Sequence, residues 1–178
     1  DWKDEKGQQI RFNMLLEEFN FEPMDEIFDY GCGYGAFYEF LKSKLDVQNY
    51  FGCDIVQPMV NAAISRNPEL VNNLKVTDKI DRTYDYVFAS GVFNVKNSAT
   101  PEEWSIYVKK TVNHIAEHAR KGFAINFLTN LSEQSRRAAK LYYPAPVEIF
   151  NFLNLNRKYK ATINHSYDLW EFTIIIQK

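Results

Sequence analysis

Apolar positions recur along the chain with two periods, and the two periods alternate. Gln8 to Phe19 brings Ile10, Phe12, Leu15, Leu16 and Phe19 near one face, which predicts a helix. Pro23 and the polar pair Asp25-Glu26 end that pattern. Ile27-Phe28 opens a short apolar run, and Phe37, Phe40, Leu41 and Leu45 follow at helical spacing, so Glu26 to Leu45 reads as strand, turn and helix. Asn49 to Asp54 predicts a second strand. Gln57 to Arg66 predicts a helix with Met59, Val60, Ala63 and Ile64 inside. Leu74 to Val76 and Tyr84 to Ser90 predict a third and a fourth strand. Thr100-Pro101-Glu102-Glu103 combines an N-cap, a proline at the first helical position and a glutamate three residues on. Its helix is expected to pass Trp104, Val108 and Ile115 to about Arg120, with Gly122 ending it. Phe123 to Thr129 predicts a fifth strand. Pro144 and Pro146 open a helix with Val147, Phe150 and Leu153 inward. Lys160 to His165 and Phe172 to Gln177 are the last strands, joined by Ser166-Tyr167-Asp168.

Alternating strands and helices imply an α/β doubly wound fold, a mostly parallel sheet with helices on both faces. The final connection is too short for a parallel crossover, so the last strand is expected to run antiparallel. The reading is a single domain over residues 1–178, an N-terminal helical segment (1–22) followed by a sheet core (23–178).

Composition narrows the class. The chain of 178 residues is 46% hydrophobic and 25% charged, as in ordinary globular proteins, and 16% aromatic, which predicts an aromatic core or pocket wall. A net charge of −2 argues against nucleic acid as the partner. No apolar run is long enough for a membrane span and no secretory signal is visible, so a cytoplasmic location without membrane contact is expected. Two cysteines, Cys32 and Cys53, at the ends of buried strands read as reduced thiols rather than a disulfide framework. With three scattered histidines and no Cys-x-x-Cys, no metal is expected.

The chemistry concentrates in Asp29-Tyr30-Gly31-Cys32-Gly33-Tyr34-Gly35. A buried strand, three glycines at alternate positions and a helix start make a turn that lets backbone approach a ligand closely. The helix N-terminus offers free N–H groups to it. From Gly31 the same stretch also fits Gly-x-Gly-x-x-Ala, a dinucleotide fingerprint variant ending at Ala36.

Taken with the strand order, the stretch resembles the first motif of class I S-adenosylmethionine-dependent methyltransferases, an acid two residues before Gly-x-Gly-x-Gly. Asp54, ending the second strand, resembles their ribose-gripping acid, and the closing hairpin resembles their reversed seventh strand. The chain is further similar to small bacterial members with Gln-x-x-Arg-Phe before the first motif (Gln8 to Phe12), Ala89-Ser90-Gly91-Val92-Phe93-Asn94, Asn126-Phe127-Leu128-Thr129 and Tyr142-Tyr143. Some of these belong to surface-polysaccharide gene sets. The resemblance implies a seven-stranded sheet of order 3-2-1-4-5-7-6 and S-adenosyl-L-methionine as cofactor, with S-adenosyl-L-homocysteine as product.

It also implies roles. Gly31, Cys32, Gly33 and Gly35 pass beside the methionine part and ribose, and Asp29 accepts from the cofactor ammonium. Asp54 takes the ribose hydroxyls, Ile55 and Met59 flank adenine, and Asp78 with the Lys79 backbone meets its amino edge. Ser90 and Gly91 face the methionine part, and Gln8 and Arg11, one turn apart, reach the cofactor carboxylate. Phe93, Asn94, Asn126, Tyr142, Tyr143 and His165 are the expected acceptor pocket, with His165, Tyr143 and Asn94 as catalytic candidates and His165 as general base. Arg136, Arg137 and Lys140 form a basic patch suited to an anionic acceptor such as a nucleotide-sugar. The expected reaction is O-methylation of a sugar or surface-polysaccharide precursor. RNA or protein as acceptor, a non-catalytic cofactor-binding subunit and a dinucleotide oxidoreductase are the rivals.

Overall fold

The computed structural model describes residues 5–154 and 159–178. The elements run α1 (Glu5–Leu16), β1 (Glu26–Tyr30), α2 (Ala36–Lys44), β2 (Asn49–Asp54), α3 (Gln57–Arg66), β3 (Leu74–Val76), β4 (Tyr84–Ala89), α4 (Pro101–His118), β5 (Ala119–Leu128), α5 (Pro146–Asn154), β6 (Lys160–Asn164) and β7 (Glu171–Gln177). The sheet order is β3-β2-β1-β4-β5-β7-β6, as expected. β7 is antiparallel to both of its neighbours, and the remaining pairings are parallel.

Alternation along the strands splits the core into two layers. Ile27, Tyr50, Tyr86, Phe88 and Ile175 pack under α1, α2 and α3, against Phe12, Leu15, Phe37, Leu41, Val60 and Ala63. Phe28, Val87, Ala89, Phe123, Ile125, Ile174 and Ile176 face the other way, against Val108, Val112, Ile115 and Ile149 of α4 and α5. The α4 capping box is complete: Thr100 Oγ1 accepts from the Glu103 N–H and the Glu103 carboxylate accepts from the Thr100 N–H.

Three local expectations change. α4 ends at His118, and Gly122 lies inside β5 rather than at a helix end. A Cβ there would come within 2.5 Å of the Ile176 carbonyl oxygen and 2.6 Å of Phe19, so Gly122 is kept bare by close packing. On α5, Val147 is exposed and Ile149 takes the buried position. α1 starts and stops three residues earlier than its apolar spacing suggests, and Phe19 packs from the connection that follows.

The β3–β4 connection is unusual for a parallel crossover. Residues 77–83 contain no helix, yet parallel crossovers ordinarily need a dozen or more residues. β2 and β1 lie between β3 and β4, so the link spans about 14 Å sideways while returning to the opposite sheet edge. Seven residues reach about 25 Å only when nearly extended, so this segment is a strap across the α4 face. Ile80 is its one buried side chain.

Candidate active site

The carboxyl ends of β1, β2 and β4 open into a cavity of about 510 Å³. In open α/β sheets this switch point is where ligands bind. Gly31, Gly33 and Gly35 all have positive φ, as does Gly91 after β4. Gly31 cannot carry a side chain: a Cβ would lie 2.5 Å from Val92 Cγ2. The Gly31 and Cys32 N–H groups both donate to the Cys53 carbonyl, locking the turn onto β2. Gly35 faces Ala63 on α3 rather than the cavity, so it serves helix packing.

Among the described residues, three carboxylates line the cavity, Asp29, Asp54 and Asp78, and no Lys or Arg does. Asp29 is buried, and its Oδ2 accepts from the Tyr50 hydroxyl at 2.6 Å. Burial, opposed by that hydrogen bond and aided by Asp54, pushes Asp29 up to about 7. Asp54 takes the Gly33 N–H on one oxygen (3.0 Å) and the Val56 N–H on the other (2.8 Å). A carboxylate has lone pairs left for two further donors. Ile55 and Met59 stand exposed at the rim, and Thr77 and Asp78 approach from the strap. Ser90 and Gly91 form the β4 side, and Gln8 and Phe12 reach in from α1. Gln8 is tied to Tyr34 there, Nε2 to hydroxyl at 3.2 Å. This donor set, three acids around a glycine turn too tight for side chains, fits a cationic nucleoside such as S-adenosylmethionine. Cys32 and Cys53 are free and buried, and burial pushes both thiols up, Cys53 to about 12, so neither is a nucleophile.

Other expected site residues lie elsewhere. Arg11 does not line the cavity; its Nε contacts both Glu171 oxygens at 2.8 Å. Glu171 in turn accepts from Asn126 Nδ2 (2.7 Å), and Asn126 Oδ1 accepts from the Gly91 N–H (2.7 Å). Asn126 is fully buried, so it braces the Gly91 turn from behind instead of meeting an acceptor. Phe93 is core, stacked on Phe127 at 5.3 Å. Asn94 holds the Leu128 N–H with its side chain and the Tyr142 N–H with its carbonyl. Tyr142 is buried, and the Tyr143 hydroxyl accepts from the Ala138 N–H. The Lys79 N–H goes to Thr77 Oγ1. His165 is exposed on the β6–β7 turn, and β6 is the far edge strand, roughly 19 Å of sheet away from β1. Arg137 donates to the Ser132 and Asn130 carbonyls, closing its own loop, and the side chain of Arg136 lies outside the description.

The structure supplies the residues of an aromatic wall that composition suggested without locating. Tyr30, Tyr34, Trp104 and Tyr107 line the cavity, with Val92, Val95 and Asn97. Trp104 and Tyr107 face each other at 4.8 Å, and Trp104 Nε1 donates to the Phe93 carbonyl. Their i, i+3 spacing after the Thr100 cap was the available signal. The histidines are also less scattered than expected. His114, Glu117 and His118 bring ligand-type atoms within 4.8 Å of one another on α4. His114 Nε2 there accepts from the Ile80 N–H at 2.9 Å, which leaves the neutral ring's other nitrogen protonated. Among the described residues, no helix is long and apolar enough to cross a membrane.

Comparison with known proteins places this geometry. The family described as methyltransferase domain matches residues 28–104, from β1 through the aromatic wall. Rv1506c of Mycobacterium tuberculosis, a methyltransferase by name, is 35% identical over 151 residues, 84% of this chain and 91% of that protein. Two solved folds are similar. The magnesium protoporphyrin IX methyltransferase of Synechocystis PCC 6803 with bound S-adenosylhomocysteine has a TM-score of 0.65 at 16% identity, covering 86% of this chain and 74% of that one. The mycolic acid cyclopropane synthase CmaA1 has a TM-score of 0.67 at 13% identity, covering 96% and 84%. With its strand order, glycine turn and two strand-end acids, the chain belongs to the class I S-adenosylmethionine-dependent methyltransferases.

Proposed function

We propose that the cavity transfers a methyl group from S-adenosylmethionine to a small, uncharged acceptor, as O-methylation of a sugar or surface-polysaccharide precursor. One observation carries the reading: among the described residues, the cavity's charged side chains are three carboxylates, and the rest of its wall is largely apolar and aromatic. Such a site favours a cation and penalises phosphate, so a neutral sugar suits it better than a nucleotide-sugar.

The bound cofactor supplies an electrophilic methyl group on a sulfonium. The chain's residues do the holding. Asp29, ionised, accepts from the ammonium end, Asp54 from the ribose hydroxyls, and Asp78 stands at the adenine end with Ile55 and Met59. Ser90 and Gly91 border the methionine part, positioned by Asn126. Trp104, Tyr107 and Asn97 offer an aromatic platform with one polar group for the acceptor. Displacement at a methyl carbon is governed by alignment, so positioning supplies much of the rate.

Titration calorimetry with S-adenosylmethionine and with NAD tests the cofactor half. Binding of the first, lost in Asp54→Ala, is the expected result, and binding of NAD alone would sink it. Release of S-adenosylhomocysteine across a panel of neutral sugars, sugar phosphates and short RNAs tests the acceptor half. Turnover confined to phosphorylated substrates or RNA would overturn it.

A further inference from the structure

We propose that His114 is a positioning residue whose Nε2 lone pair pins the β3–β4 strap and so holds Asp78 at the adenine end of the cavity. The inference rests on the cofactor reading above and concerns a residue, His114, that reading does not use. The strap carries Thr77 and Asp78 to the cavity wall without a helix of its own. An extended segment makes no internal ladder, so its backbone groups need outside partners. Three such contacts, and one bond internal to the strap, are present. The Thr77 N–H donates to the Asp54 carbonyl, the Asp78 carbonyl accepts from the Tyr30 hydroxyl, the Lys79 N–H donates to Thr77 Oγ1, and the Ile80 N–H donates to His114. The bond to His114 is the one among these that reaches across to α4, beside the strap's one buried side chain, Ile80. Beyond it, the strap's far half is held by the buried Ile80 side chain, by Arg120 and Tyr84 donating to Thr83 and Asp81, and by ion pairs of exposed Asp81 and Arg82 with Lys75 and Glu26, the last being weak anchors in water.

Acceptance requires a neutral imidazole, since imidazolium has no lone pair. Burial and the neighbouring His118 keep His114 below the ordinary histidine value. Glu117 on the same helix and Asp78 on the strap pull it up, and Lys79 on the strap pulls it down. The latch is therefore closed at neutral pH and opens in acid.

The readout is the preference for adenine over hypoxanthine, because Asp78 can accept from the 6-amino group and hypoxanthine lacks it. S-adenosylhomocysteine and S-inosylhomocysteine are titrated calorimetrically into wild type, His114→Gln and His114→Phe at pH 7.5 and in a series of more acid buffers, with amide exchange followed at Ile80. Asp29 acts on the ligands' common methionine end, so its titration cancels from the ratio. Wild type is expected to prefer adenine at pH 7.5 and to lose that preference as acid protonates His114, below the ordinary histidine range. His114→Gln, whose amide oxygen accepts the same N–H, keeps the preference across the series. His114→Phe loses about tenfold of it, the size of one lost hydrogen bond, and exchanges Ile80 faster. A discriminating wild type beside an equally discriminating, folded His114→Phe overturns the proposal alone. A wild type that binds neither ligand overturns the cofactor reading and the proposal with it. Should His114→Phe fail to fold, the pH profiles decide: parallel loss of preference in wild type and His114→Gln overturns the latch.

Discussion

Asp29→Asn should make the ligand-free protein more stable while weakening its hold on the cofactor. The carboxyl is buried, raised from 3.8 to about 7 mainly by desolvation, with the Tyr50 hydroxyl opposing and Asp54 assisting the rise. The folded pKa lies above the unfolded one, so the folded state binds the extra proton. Stability from this group is complete below about pH 4, declines through the interval, and is lost once pH passes 7. Three pKa units correspond to about 4 kcal/mol at pH 8. The amide recovers only part of that, because Tyr50 can donate to its oxygen but its NH₂ group lacks an evident partner. A net gain of about 1–3 kcal/mol at pH 8 is expected, or roughly 3–10 °C in Tm for a chain of this size. Urea unfolding at pH 5, 6, 7 and 8, read by tryptophan fluorescence without cofactor, gives the sharper test. The stability difference between Asp29→Asn and wild type should grow by about 3 kcal/mol from pH 5 to pH 8, then level off. In parallel, calorimetry should show S-adenosylhomocysteine bound about 100-fold more weakly, since a buried charge pair has lost one member. A stability difference independent of pH would refute the burial argument, and unchanged ligand affinity would refute the assignment of Asp29 to the ammonium.

The same geometry yields four shorter predictions. Tyr50→Phe removes the bond that holds Asp29 down, so the acid limb of cofactor binding should move to higher pH in a calorimetric pH series. Glu171→Gln breaks the Arg11–Glu171–Asn126 chain behind Gly91. About 2–4 kcal/mol of stability should go in urea unfolding, and the KM for S-adenosylmethionine should rise more than kcat falls. Gly31→Ala adds a Cβ against Val92 at a φ of 81°, and roughly 2–4 kcal/mol of destabilisation with loss of cofactor binding should show in a thermal shift assay. His165→Ala, on an exposed turn at the far edge of the sheet, should leave methyl transfer within about twofold of wild type in a turnover assay.

Local pattern carried the fold because the fold is written locally. Alternation within β4 and β5, the helix start at Thr100 and the short link before β7 each depend on neighbours in sequence; they set the elements and the reversed last strand, while the order of strands in the sheet followed from the family resemblance. The cavity wall around the glycine turn was legible for the same reason: Asp29, Gly31 and Gly33 lie within one turn, Asp54 ends the next strand, and all four line the cavity. The expected pocket residues fell outside the cavity where distance along the sheet edge mattered. Strand ends locate a residue on the active edge but not how far along it. His165 shares that edge and still stands four strands from β1, while Trp104, read only as a residue along the helix, lines the cavity together with Tyr107. Partners remote in sequence were invisible altogether. Arg11 looked free to clasp a carboxylate because Glu171, which occupies it, lies 160 residues on. Asn126 looked like a pocket group because nothing local shows that Gly91 and Glu171 saturate its amide. A polar side chain's availability depends on the contacts the fold completes around it. In this chain, among the described residues, the charged groups left facing the cavity are three acids, a set suited to a cationic ligand.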